Sequence, residues 1–207
     1  MLPPLPRKVS GEVPLLAMLL KEIRSRTADN HARLENTPLL SPFAQQRIDM
    51  PAYLEILRRF YGYFHPLEQR LDAFPALLDW LPDYTERRKA RLLLDDLNSL
   101  HNPTAPDPCR KLPGISTDAE AFGCLYVMEG STLGGKIIYN ILKKQLGIDK
   151  STGASFFYGY GPATGEKWKA FGSRLEAFAR ETGTDEQIIA AANDTFSKFE
   201  QWLLIQK

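Results

Sequence analysis

The sequence predicts an all-α fold, a single-domain helical bundle, on three observations. Apolar residues recur at steps of three and four along nearly the whole chain. No run alternates with the period of two that marks a half-buried strand. Helix start signals precede several of the apolar stripes. At 207 residues the chain has room for one generous core and is short for two domains. Residues 1–12 are expected to form a poorly ordered N-terminal extension, and 13–207 the helical domain.

The elements follow in order. Leu16, Leu20, Ile23, Thr27, His31 and Leu34 describe one face of a first helix. Asp49 followed by Pro51 reads as the start of a second, since proline is tolerated in a first helical turn. Its stripe is Leu54, Leu57, Tyr61, Phe64, Leu67 and Leu71, with a kink or break expected at Pro66. Leu93, Leu97 and Leu100 mark a third helix. The proline-rich segment from Asn102 to Gly114 is a loop within the domain. Thr117 and Glu120 have the spacing of a capping box, opening a long helix that passes three glycines towards Gly147. Residues 156–165, FFYGYGPATG, read as an aromatic loop, followed by a helix carrying Trp168, Phe171, Leu175 and Phe178. A second capping box, Thr184 with Gln187, precedes Ile189, Ala192, Phe196, Phe199 and Leu203.

Composition excludes several functions. The net charge of +1, from 26 basic and 25 acidic residues, offers no broad footprint for nucleic acid or an acidic membrane. The basic triplet Arg87-Arg88-Lys89 reads as a solvated helix face. The first twenty residues carry prolines where an export signal needs its charged region, and Lys21 and Glu22 end the apolar run. Cys109 and Cys124 are expected as free thiols in a reducing compartment, the cytoplasm. GSTLGGK, residues 130–136, begins like a phosphate-binding loop, but Ile137 stands where a magnesium-binding hydroxyl is required. His31, His65 and His101 show no zinc spacing, and no Glu-x-x-His pair suggests a di-iron bundle.

What remains is chemistry needing few protein ligands. His31 on an apolar face has two readings: a buried histidine satisfied by a hydrogen bond, the commoner case, or an axial ligand to haem iron. Gly130, Gly134 and Gly135 lie within six residues of one helix. Each costs about 1 kcal/mol relative to alanine there. Close packing of another backbone, or close approach to a flat ligand, would account for them equally well.

Five segments resemble the haem oxygenase family, in the bacterial branch often associated with bacterial phytochromes. They are TADNHARLE (27–35), YGYFHPLE (61–68), FGCLYVMEGSTLGGKI (122–137), FFYGYGPATGEKWKAF (156–171) and TFSKFEQWL (195–203), in the family's order. The resemblance implies haem sandwiched between a proximal helix and a distal helix bent at its glycines. His31 would be the proximal iron ligand, and Gly130 and Gly134 would approach the distal face. Ser131 occupies the position of an aspartate that organises distal water in animal and plant relatives. Tyr126 and Phe196 match positions that pack on the macrocycle, although both also suit ordinary core. Arg24 and Lys169 match cations near the haem propionates. The implied reaction opens haem to biliverdin, carbon monoxide and free iron with O2. No flavin, nicotinamide or iron–sulfur motif is present, so electrons would come from a ferredoxin, flavodoxin or reductase. The product would pass to a phytochrome or the iron to metabolism. A haem carrier or sensor, and a thiaminase-like enzyme with a cysteine nucleophile, are the rival readings.

Overall fold

The computed structural model describes residues 18–102 and 107–205. The expected N-terminal extension, residues 1–12, lies outside the described residues, as do Leu16, Pro103 and Pro106. Every regular element described is helical: α1 (Met18–Arg26), α2 (Ala28–Glu35), α3 (Ser41–Ala44), α4 (Met50–Leu71), α5 (Ala76–Trp80), α6 (Ala90–Ser99), α7 (Asp118–Leu146), α8 (Ser155–Tyr158), α9 (Thr164–Thr182) and α10 (Asp185–Leu203). Single 3₁₀ turns occupy Tyr84–Arg87 and Gly161–Ala163. No helix among the described residues is long and apolar enough to cross a membrane.

Two of the three start signals act as expected. The Asp49 carboxylate accepts from the Ala52 N–H at 2.9 Å, with Pro51 in the first turn of α4. Thr117 and Glu120 form a reciprocal capping box on α7, which ends at left-handed Gly147 (φ 67°). Thr184 makes no cap hydrogen bond; its hydroxyl lies 2.7 Å from that of Thr182 instead. The aromatic loop after α7 also proves partly helical, holding α8 and the second 3₁₀ turn.

The first helix is divided at Thr27. Its hydroxyl donates to the Ile23 carbonyl at 2.8 Å, a back-bond of the kind that bends helices. Pro66, by contrast, neither breaks nor ends α4. Proline removes the donor that would reach back four residues, to the Gly62 carbonyl. That carbonyl accepts from the Cys109 N–H at 2.7 Å instead. The loop can come so close because residue 62 has no side chain: a Cβ there would lie 2.7 Å from the Asp107 carbonyl oxygen.

The core is built on the crossing of α7 and α10. At Gly123 an added Cβ would stand 2.4 Å from the Ile188 carbonyl and 2.7 Å from the Ala191 Cβ. Phe60 and Tyr63 of α4 meet Phe199 of α10 at ring separations of 5.0 and 4.4 Å. α2 is tied along α10 by Arg33 to Glu200 (3.2 Å) and Asn30 to Asn193 (2.5 Å). α1 is held to α9, where Glu176 accepts from the Leu20 N–H at 2.9 Å.

The basic triplet is not a solvated face. Arg87 and Lys89 are 3% and 1% exposed, and both bind the buried Glu129 carboxylate of α7. Local sequence cannot show this, because the neutralising acid lies about forty residues away.

Candidate functional site

The site grows outward from one contact between α7 and the α1–α2 junction. The buried Tyr126 phenol lies beside the Thr27 hydroxyl and near Arg24. Burial raises its pKa, and both neighbours partly offset that rise. One turn beyond Thr27 along α2 stands His31, whose backbone N–H donates to the Thr27 carbonyl at 2.9 Å. One turn beyond Tyr126 along α7 stands Gly130. The proximal and distal candidates therefore start from a shared, packed point.

His31 is not a satisfied core histidine. Its side chain is 53% exposed, its Nδ1 is 3.4 Å from a Glu35 carboxylate oxygen, and its ring meets buried Phe196 edge-on at 5.5 Å. The ring is thus held from two sides, and Nε2 has no hydrogen-bond partner among the described residues.

The three glycines divide. A Cβ on Gly135 would lie 2.8 Å from the Phe157 carbonyl oxygen, so this glycine serves close packing of α8 on α7. A Cβ on Gly134 would meet nothing within 4 Å, and one on Gly130 only the Trp168 ring at 3.9 Å. α7 runs unbroken through all three. Its inner face here is Glu129, Thr132 and Gly135, all buried. Its outer face carries Ser131, Gly134, Leu133 and Ile137, the last 68% exposed. The Ser131 hydroxyl donates to the Met128 carbonyl at 2.7 Å, so its oxygen keeps the capacity to accept.

The structure thus gathers His31 with Phe196, Arg24 with Tyr126, and Tyr126 with Gly130 through Trp168, whose ring is 5.7 Å from that of Tyr126. Arg24 and Lys169 are exposed and make no ion pair with a described residue. Lys169 follows Trp168 but has no contact linking it to the others.

The family model described as Heme oxygenase matches residues 17–204. The chain belongs to the haem oxygenase family. It is 29% identical over 172 residues to the heme oxygenase of Xanthomonas campestris pv. campestris, covering 80% of this chain and 96% of that one. In fold it is similar to the NO- and CO-bound heme oxygenase of Neisseria meningitidis, with a TM-score of 0.77, 21% identity and 89% of each chain covered. The heme complex of heme oxygenase-1 from the cyanobacterium Synechocystis superposes with a TM-score of 0.69 at 17% identity, covering 89% of this chain and 90% of that one.

The residues present fit the family's ligand. An outer helix face on which Gly130 and Gly134 lack side chains and Leu133 and Ile137 are exposed suits a flat porphyrin, and an exposed imidazole with one nitrogen engaged suits its iron. Sequence reading missed Glu35 and Trp168. Glu35 lies four residues after His31 and so shares its helical face. Trp168 carries no local signal of its distant partner Gly130. The cysteines do not suit nucleophilic chemistry. Burial pushes the Cys124 thiol up to about 12, with the Thr195 hydroxyl 3.1 Å away.

Proposed function

We propose that this chain performs the family's haem degradation by holding haem between His31 and the Gly130–Gly134 stretch of α7. Bound haem supplies both the iron where O2 is reduced and the ring that is opened to biliverdin, carbon monoxide and iron. The observation that carries the reading is the pairing of an exposed, braced imidazole with a helix face that has empty space beyond Gly134.

The chain's own residues then divide the work. Glu35 beside Nδ1 favours the tautomer that offers Nε2 to iron, and Phe196 fixes the ring plane. Gly130 and Gly134 let the helix backbone approach the distal face, where no side chain competes for space. Ser131 presents a hydrogen-bond acceptor to distal water. Tyr126 packs against the macrocycle edge, and Arg24 and Lys169 pair with its propionates from exposed positions. Leu133 and Ile137 exclude bulk water along the strip. Electrons arrive from a ferredoxin, flavodoxin or reductase, and a bacterial phytochrome is the candidate recipient of the pigment. The free, buried thiols of Cys109 and Cys124 agree with a cytoplasmic setting.

The test is to mix the purified protein with haem and record spectra before and after adding ascorbate in air. Conversion of the haem spectrum to that of biliverdin is expected. Haem that is bound but survives reductant and oxygen makes the protein a carrier or sensor instead.

A further inference from the structure

Behind the glycine strip lies a buried ionic cluster that the haem reading leaves unused. The Glu129 carboxylate receives Arg87 Nη1 at 2.5 Å on one oxygen. Its other oxygen accepts from Lys89 Nζ at 2.9 Å and the Tyr160 hydroxyl at 2.7 Å. Arg87 also donates to Asp83 (2.8 Å) and to the Lys167 carbonyl (3.2 Å), while Lys167 Nζ returns to Asp83 at 2.7 Å. Lys89 lies over the Tyr160 ring at 4.2 Å.

Apolar side chains of similar volume would stabilise a helix contact as well as a buried ion cluster does, or better. What the ions add is direction. Donors on two chain segments, before α6 and between α8 and α9, converge on one carboxylate and so fix both the rotation and the height of α7. The next residue is Gly130, and the outer face from Gly130 to Gly134 has almost no side-chain contact to hold it. The cluster reaches the opposite border too, because Lys167 precedes Trp168, the residue over Gly130.

We propose that Glu129, Lys89 and Tyr160 are positioning residues that set the distance and orientation of the Gly130–Gly134 backbone relative to bound haem. The assignment rests on the haem reading above. Loosening the cluster should let the glycine turn wander, changing which porphyrin edge it faces without removing His31 from the iron.

The test compares E129Q with Y160F. E129Q keeps the shape but removes a buried charge that the fold relies on. Y160F removes one hydroxyl and keeps the ring over Lys89, so it serves where E129Q does not fold. Both should take up haem with the parent's iron–imidazole spectrum. The C–O stretch of the ferrous carbon monoxide complex should shift and broaden, and the ratio of biliverdin isomers should change. Turnover should fall by up to roughly 100-fold, the cost that a misplacement of about 1 Å can carry at a reacting centre. Without haem, amide exchange over residues 130–135 should quicken while residues 119–126 keep the parent's protection. Folded variants that lose thermal stability but retain the parent's C–O stretch, isomer ratio and exchange would overturn the assignment, as would a Y160F protein identical to the parent. A parent that takes up no haem would overturn the haem reading itself, and this assignment with it.

Discussion

Alanine at Gly134 and at Gly135 should have opposite effects on stability, although the positions are adjacent in one helix. Glycine in a helix interior is disfavoured by about 0.5–1 kcal/mol relative to alanine. At Gly134 nothing lies within 4 Å of the new Cβ, so Gly134→Ala should stabilise the haem-free protein by that amount. For a chain of this size each kcal/mol raises Tm by about 2–4 °C. At Gly135 the new Cβ would stand 2.8 Å from a backbone oxygen of Phe157, which cannot swing aside as a side-chain tip can. Overpacking of this kind costs about 1–3 kcal/mol and outweighs the propensity gain. Gly135→Ala should therefore lower Tm. With haem the order reverses at Gly134, where the methyl occupies the space assigned to the ligand. The same 1–3 kcal/mol becomes a loss of roughly 5- to 150-fold in haem affinity. Thermal denaturation without haem and a haem titration measure the two halves. A Gly134→Ala protein as destabilised as Gly135→Ala would refute the open-face argument, and one that is stabilised with undiminished haem affinity would refute the ligand placement.

His31→Ala should abolish the iron–imidazole spectrum of the haem complex, and added imidazole should restore it. Because the side chain is half exposed, its loss should move haem-free stability by no more than about 0.5 kcal/mol, read by urea denaturation. Thr117→Ala removes the hydroxyl half of the α7 capping box and should cost about 1 kcal/mol by the same measurement. The Glu120 carboxylate is held below its ordinary value near 4.5 by the Ser116 hydroxyl, with the Ser116 and Thr117 N–H groups adding to the effect. The unfolded chain binds more protons between the two values, so stability rises with pH there. The contribution is complete above about 4.5 and is lost as pH falls through the folded value. Glu120→Gln should flatten the acid limb of a stability–pH profile, and an unchanged limb would contradict the assignment.

Signals within one turn of their partners were legible in the sequence. Asp49 with Ala52 and Thr117 with Glu120 are contacts across three residues, and a linear pattern can represent them. The place of His31 one turn beyond Thr27 was legible for the same reason, while its proposed role as proximal ligand came from the family resemblance. Thr184 shows the limit of such patterns, since a neighbouring hydroxyl captured the side chain that the spacing assigned to a cap. Pro66 shows another limit, because its effect depended on a loop donor, Cys109, more than forty residues away.

The sequence by itself determined the helical bundle, a histidine at a helical step from Thr27 and the presence of an unusual glycine run, because periodicity and caps act over three or four residues. Tertiary structure decided which glycines open onto free space and which accept a neighbour. Gly134 and Gly135 are equivalent in propensity and differ only in whether the Phe157 carbonyl lies opposite. It also turned Arg87 and Lys89 from an expected surface pair into buried partners of Glu129. Desolvating a charge is tolerable only beside its counterion, and that counterion was brought near by the packing of α7 rather than by the local chain.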